Sequence, residues 1–184
     1  MKKVLVVVDM QNDFIDGALG SPEAEAVVGN VVAKINEYKA AGCKIYVTRD
    51  THHTDYMNTR EGRFLPVPHC IINSDGWQLN KEIEAAIDGA DVTMINKPTF
   101  GAYALIQHIL RDEQEALKTN EKISYELVGV CTDICVVSNA LLIKATLPEA
   151  DLFVDASCCA GVTPEKHEAA LTTMQSCQIE ITNH

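Results

Sequence analysis

Two apolar patterns alternate along the chain. Short apolar runs bounded by polar or turn residues occupy Lys3–Val8, Lys44–Arg49, Val92–Asn96, Tyr125–Val130, Asp151–Val154 and Gln178–Ile181, with longer stretches of helical spacing between them. The first run, VLVVV at positions 4–8, is continuously apolar rather than alternating. A strand needs that pattern when both of its faces are covered, as in a parallel sheet flanked by helices. Strand and helix in alternation predict an α/β fold: a three-layer, doubly wound, mainly parallel six-stranded sheet with helices on both faces.

The helix boundaries agree with this pattern. Ser21-Pro22-Glu23 offers an N-cap, a proline at the first helical position and early negative charge, and Gly42 closes that helix. Thr163-Pro164-Glu165 repeats the signal ahead of the last helix, in which His167 reads as an exposed position. Between Asp50 and Gly76 the pattern lapses into a long stretch rich in His, Asn, Asp, Gly and Pro. Loops of that length in a compact domain are usually functional or disordered, and this one holds many potential ligands. With no repeat, linker or low-complexity tract, residues 1–184 read as one domain.

Composition narrows the partners. A formal charge of -11 argues against nucleic acid or an acidic membrane, either of which needs a basic stripe, and leaves small molecules as the expected ligands. No apolar run reaches the roughly 20 residues of a membrane span, and Met1-Lys2-Lys3 leads directly into a strand without a signal-peptide pattern. A cytoplasmic protein is expected. Its 7 cysteines are odd in number, irregularly spaced and without a C-x-x-C pair, so they are expected as reduced thiols. Cys158 and Cys159 fall just past the fifth strand, with no role assigned.

The richest segment is LVGVCTDICVVSN, Leu127 to Asn139, where an apolar strand runs through a turn into a helix. Cys135 falls near the helix start, where free N–H groups and the positive end of the helix dipole favour a thiolate. Either Cys135 is a nucleophile, or it and Cys131 are small buried hydrophobes. In open parallel sheets ligands bind beyond the carboxyl ends of the strands. Asp9 ends strand one and Lys97 follows strand three, so with Cys135 they offer a base, a charge and a nucleophile. Read singly, Asp9 could cap a turn and Lys97 could be a solvated loop residue. A second cluster is Asp50, His52, Glu61 and His69, with His53 and Asp55 as bystanders or substitutes. Asp50 and His52 share a face of an extended segment, and two imidazoles with two carboxylates suit zinc, manganese or iron. The bland alternative is a polar loop with surface histidines.

Taken together these segments resemble the isochorismatase-like cysteine hydrolases, and among them the nicotinamidase-like branch, over nearly the whole chain. VLVVVDMQNDFIDG resembles the opening strand that carries the general base, implying that Asp9 is catalytic and Phe14 an aromatic pocket wall. NKPTFGAY resembles the lysine motif, implying Lys97 as the third catalytic residue and Tyr103 near the substrate. GVCTDICV resembles the nucleophile motif, implying attack by Cys135, a cis peptide between Val130 and Cys131, and an oxyanion held by the N–H groups of Cys131 and Cys135. RDTH and PHC resemble the metal-binding segments, implying Asp50, His52 and His69 as ligands of a divalent ion, zinc ahead of manganese or iron. The fourth ligand is Glu61 by comparison with some members and a histidine nearer Asp55 in others. Isochorismate-cleaving members generally lack this metal set, so its presence favours an amide substrate. Phe64, in the run Phe64-Leu65-Pro66-Val67-Pro68, stands in for the aromatic residue that often precedes the last metal-binding histidine. The resemblance implies a homo-oligomer that hydrolyses nicotinamide to nicotinate and ammonia through a thioester. Other amides or N-carbamoyl compounds would suit the same triad. A redox sensor built on a Cys131–Cys135 disulfide, or a catalytically silent binding protein, needs neither Asp9 nor Lys97.

Overall fold

A computed structural model describes residues 1–184. Lys2–Val8 form strand β1, and its apolar run serves two cores at once. Val4, Val6 and Val8 enter one cluster while Leu5 and Val7 enter the other, which is why the run cannot alternate with polar residues. The remaining strands are β2 (Lys44–Asp50), β3 (Val92–Lys97), β4 (Ile123–Val130), β5 (Asp151–Ala160) and β6 (Glu180–Thr182). All neighbours pair in parallel, in the order β3-β2-β1-β4-β5-β6.

Seven helices join them: α1 (Asn12–Ile15), α2 (Pro22–Ala40), α3 (Arg60–Phe64), α4 (Lys81–Ile87), α5 (Tyr103–Lys118), α6 (Val137–Thr146) and α7 (Pro164–Ser176). Helices α1, α2 and α4 cover the face reached by Leu5 and Val7; α5, α6 and α7 cover the other. The α2 boundaries follow from its sequence. Ser21 caps the first turn by accepting the Ala24 N–H at 3.1 Å, Pro22 opens the helix, and Gly42 leaves it at φ +65. Ala24, Val28, Val31, Ile35 and Tyr38 then line a single buried stripe. None of the helices is long and apolar enough to cross a membrane.

The structure departs from the sequence pattern at two points. The stretch from Asp50 to Gly76 is not structureless, since it holds a 3-10 turn at Tyr56–Asn58 and the short helix α3, too brief to leave a periodic signature. The fifth strand also runs on to Ala160, so Cys158 and Cys159 lie within it. Leu127 pairs with Val154 and Gly129 with Cys159, so two residue steps on β4 face five on β5. The excess is odd, and the side chains of β5 therefore change faces. Leu152 and Val154 pack with Cys159 in one core, while Cys158 and Ala160 pack in the other. Gly129, at φ +121, sits at this irregularity, and a Cβ there would fall 2.1 Å from the Val8 carbonyl oxygen.

The topology sets where a ligand can bind. From β1 the order runs outward through β2 and β3 on one side and through β4, β5 and β6 on the other, so β1 and β4 flank the switch point. Asp9 leaves the end of β1 and Cys131 the end of β4.

On the α2 face a partly buried charge network holds the layers together. Lys34 of α2 pairs with Glu126 of β4 at 3.1 Å and with Asp155 of β5 at 2.8 Å, and Tyr38 donates to Glu126 at 2.7 Å. Burial pushes the Asp155 carboxyl up, but hydrogen bonds from Lys34, Ser157 and Asn183 outweigh it and hold it below its ordinary 3.8. A carboxyl lowered on folding stabilises the fold above its unfolded pKa, and that contribution fades as pH falls toward the folded value. Lys34→Ala leaves both carboxylates without their cation. Chemical denaturation at pH 7 is expected to register a loss of about 2–3 kcal/mol, discounted for partial solvent access, and the loss should shrink below about pH 4 as the carboxylates of the variant protonate.

Candidate active site

The residue that closes β1 turns sharply. Asp9 adopts φ 50, a left-handed conformation unusual outside glycine, and its N–H bonds the Thr48 carbonyl at 3.2 Å and the Thr48 hydroxyl at 3.3 Å. The Thr48 hydroxyl donates in turn to Asp9 Oδ1 at 2.6 Å. Asp9 Oδ2 stands 2.6 Å from Lys97 Nζ, is fully buried and takes no well-aligned hydrogen bond, which leaves it acceptor capacity. Lys97 Nζ also lies 3.3 Å from Cys135 Sγ and 3.5 Å from Asp50 Oδ1. Asp9, Lys97 and Cys135 are thus in mutual reach, with Asp9 fully buried and Lys97 only 1% exposed.

Burial dominates the electrostatics of this trio. It raises the Asp9 carboxyl, against the pull of the Lys97 ammonium. It pushes the Cys135 thiol well above its ordinary value, with Asp9 adding to the rise and Lys97 opposing it. Burial works against the Lys97 charge, but Asp9, Cys135 and Asp50 outweigh it and keep the ammonium protonated. Burial and the Asp9 carboxylate therefore oppose the thiolate expected from a helix start. Cys135 lies in a π turn, Thr132–Val136, ahead of α6, and in this buried setting the neighbouring carboxylates and the loss of water outweigh the helix dipole. Cys131, beside the same site, is pushed up to about 12, and all 7 cysteines are free thiols. Redox-sensing pairs need lowered thiols, so this environment does not favour the disulfide alternative.

The Val130–Cys131 peptide is cis. In the turn that follows, the Ile134 and Val136 N–H groups both bond the Cys131 carbonyl at 3.1 Å, whereas the Cys135 N–H does not join them. The Cys131 N–H has no protein acceptor. Asn139, fully buried one turn later, donates to the Cys135 carbonyl at 2.8 Å and to the Phe100 carbonyl at 3.2 Å, and accepts the Ala102 N–H at 2.8 Å. One side chain thereby ties the nucleophile turn to the loop after Lys97.

The second cluster also converges. His52 Nε2 is 2.9 Å from Asp50 Oδ2 and 3.6 Å from Glu61 Oε1; His69 Nε2 is 3.4 Å and 3.9 Å from the same two atoms. Ligands about 2.0–2.2 Å from a tetrahedral zinc stand about 3.3–3.6 Å apart, so these atoms fit a divalent ion with small adjustments. His69 Nδ1 is held by the Val67 carbonyl at 2.8 Å, which turns Nε2 inward as a ligand atom. Tyr56 packs against both imidazoles, with centroids 4.7 Å from His52 and 5.0 Å from His69. Burial opposes ionisation of Asp50, but His52, His69 and Lys97 outweigh it and hold the carboxyl well below the ordinary range. Glu61 fills the fourth position, while His53 and Asp55 are exposed outside it.

A cavity of about 400 Å³ joins the two clusters. Cys135, Cys131 and Ile134 line one side, Asp50, Glu61 and His69 another, and Phe14 lies against His69 with centroids 5.5 Å apart. Two expected pocket residues are elsewhere. Phe64 is 77% exposed on α3, over Arg60, and Leu65 takes the lining position. Tyr103 is 71% exposed at the first turn of α5, and Phe100 supplies the aromatic surface instead. In each case the short local turn directs a neighbouring side chain of the same motif inward.

Other contributors carried little sequence signal. Gln11 is fully buried; its amide donates to the Asp50 and Trp77 carbonyls at 2.9 Å each and accepts the Asp50 N–H at 2.7 Å. Its place two residues after Asp9 was the available hint. Lys166 and Val162 also line the cavity, from a segment far along the chain. His167 is half-buried rather than exposed, because its ring bonds the Thr132 hydroxyl.

Residues 3–184 match the isochorismatase domain. The chain is 25% identical over 173 residues to the nicotinamidase of Saccharomyces cerevisiae, covering 76% of this chain and 80% of that protein. Its fold superposes on the nicotinamidase/pyrazinamidase of Bacillus subtilis with a TM-score of 0.82 at 26% identity, covering 98% of this chain and 99% of that one. The pyrazinamidase of Pyrococcus horikoshii, solved in complex with zinc, matches with a TM-score of 0.78 at 28% identity over 100% of both chains.

Removing one imidazole tests the second cluster directly. Calorimetric titration with zinc is expected to give one equivalent bound per chain, a response lost in His69→Ala. Gln11→Leu, which frees the Asp50 backbone, should weaken binding about 10- to 100-fold without removing a ligand.

Proposed function

Because the chain belongs to the isochorismatase family of hydrolases, we propose that its Asp9–Lys97–Cys135 centre hydrolyses a small carboxamide, with nicotinamide as the substrate and nicotinate and ammonia as products. The observation that carries this reading is the placement of Lys97 Nζ, 2.6 Å from Asp9 and 3.3 Å from Cys135, beside a cavity that reaches Asp50, Glu61 and His69 of the four-residue cluster able to hold a metal ion.

Burial and the Asp9 carboxylate disfavour a preformed Cys135 thiolate, so in this reading Asp9 takes the thiol proton as Sγ forms its bond to the amide carbon. Burial favours this transfer by making Asp9 a stronger base, and Lys97 keeps its carboxylate ionised until then. The carbonyl π electrons move onto oxygen, where the Cys131 and Cys135 N–H groups receive the charge; losing one such donor typically costs about 100- to 1000-fold in rate. The tetrahedral adduct collapses as the C–N bond breaks, Asp9 returns its proton to nitrogen, and ammonia leaves a thioester. Asp9 then deprotonates a water that attacks the thioester, Sγ departs, and the proton goes back to the thiol. Phe14 supplies an apolar wall for the ring. Asp50, His52, Glu61 and His69 would hold a divalent ion, zinc ahead of manganese or iron, which when bound supplies a Lewis-acidic point for a pyridine nitrogen.

A second substrate reading has its own support. Lys166 is the one Lys or Arg side chain among the residues lining the cavity. A substrate with a carboxylate remote from the scissile bond, such as an N-carbamoyl amino acid, would pair with it.

Ammonia release from nicotinamide by the zinc-loaded protein is expected, and Cys135→Ala should abolish it while leaving the fold intact; full activity in that variant would sink the mechanism. The acid limb of kcat/KM should have its midpoint above the ordinary carboxylate value of 3.8, because raising Asp9 means more alkaline solution is needed to ionise it. Lys166→Ala separates the two substrates. The KM for nicotinamide should stay within about twofold, whereas that for an N-carbamoyl amino acid, if it is turned over, should rise about three- to fivefold, the scale of an exposed ion pair.

A further inference from the structure

The turn that carries Cys135 is held from behind by the start of α7. Thr132, fully buried in that turn, shares a 2.8 Å hydrogen bond between its Oγ1 and His167 Nδ1. Its neighbour Asp133 accepts the Val162 N–H at 2.9 Å through Oδ1. The two segments meet closely at Gly161, where a Cβ would lie 2.8 Å from the His167 nitrogen and 3.0 Å from Asp133 Oδ1. A larger residue would lift α7 off the turn.

This bracing matters because the turn has a loose hydrogen-bond pattern of its own. Two N–H groups share the Cys131 carbonyl, and the intervening Cys135 N–H stays out of that pattern. The Val137 N–H adds bonds to the Thr132 and Ile134 carbonyls, and contacts from α7 supplement this short, irregular element. Thr132 is the buried side chain nearest its start, and its polar atom has His167 as partner. Burial lowers the pKa of His167, which favours the neutral ring, and in either tautomer Nδ1 can share a hydrogen bond with the Thr132 hydroxyl. His167 itself is not among the cavity-lining residues, so it can act on a substrate only through the turn.

Resting on the hydrolase reading above, we propose that His167 is a positioning residue for the nucleophile, fixing through Thr132 the angle at which Cys135 Sγ and the two oxyanion N–H groups meet the substrate carbonyl. Misplacement by about 1 Å costs on the order of 100-fold in rate, and a hydrogen bond that locks a supporting residue is the usual safeguard. The arrangement also links pocket wall to chemistry. Val162 lines the cavity and its N–H binds Asp133, so one hydrogen bond connects the pocket wall to the turn that carries Cys135.

The test compares His167→Asn with His167→Leu, alike in side-chain branching but unequal in their ability to bond Thr132, beside Thr132→Val and the Thr132→Val/His167→Leu double variant. Each is assayed for kcat and KM on the amide turned over by the wild type, for the rate at which iodoacetamide alkylates Cys135, and for thermal unfolding. His167→Leu and Thr132→Val are each expected to lose about 10- to 100-fold in kcat with KM within about twofold, and alkylation should slow in step. His167→Asn should recover most of that loss, and the double variant should fall no further than the worse single one. Wild-type kcat in His167→Leu, a loss confined to KM, equal loss in the Asn and Leu variants, or multiplied losses in the double variant would each overturn the proposal. If the wild type turns over no amide, the hydrolase reading fails by itself. The alkylation rates still decide the brace, since equal rates in wild type and His167→Leu reject it.

Discussion

One buried ammonium sets the terms for the rest of this molecule. Lys97 is 1% exposed and sits within 2.6 Å of one carboxylate, 3.5 Å of another and 3.3 Å of a thiol. Removing a charge of either sign from water costs several kcal/mol, and the cost is offset only where the opposite charge is held in good geometry. Asp9 and Asp50 could not both be ionised in this interior without the cation between them, nor could the cation stay charged without them. The register of the sheet enforces the meeting. Asp50 and Lys97 are direct partners in the β2–β3 ladder, and Asp9 follows a residue paired with Thr48. Parallel strands ending together thus place two carboxylates and a cation at one level. The Cys135 thiol arrives from the segment after β4, across the switch point.

Much of this was legible from residue order. A strand covered on both faces must be continuously apolar, so VLVVV announced its place in the middle of a parallel sheet. Polar residues that end apolar strands point to the crevice beyond a parallel sheet, and Asp9, Asp50 and Lys97 do meet there, Asp50 lining the cavity and the other two buried against it. His52, Glu61 and His69 were collected by chemistry alone, from a stretch without periodicity, and the structure brings their ligand atoms together.

What escaped the sequence depends on direction rather than position. Phe64 and Tyr103 belong to the right motifs, yet each lies one to three residues from the lining side chain, because Leu65 and Phe100 sit just outside the helices that carry Phe64 and Tyr103, where the backbone leaves the helical path. The ionisation of Cys135 was misjudged for a related reason: a helix start is a local feature, but desolvation and the two carboxylates are supplied by remote strands. Gln11, Asn139 and His167 act through hydrogen bonds to segments distant in the chain, and no spacing rule reports such contacts.

The irregular pairing of β4 with β5 has a consequence for how this chain can vary. Because β5 carries an odd excess of residues opposite Leu127 to Gly129, the faces shown by Cys158, Cys159 and Ala160 depend on parity. Losing or gaining a single residue there would exchange inward and outward side chains and misdirect Gly161, which must pass close to α7. Changes by two would preserve both. Length in this short segment is therefore counted in pairs, and natural insertions or deletions beside the site should respect evenness more strictly than they respect the identity of any one residue.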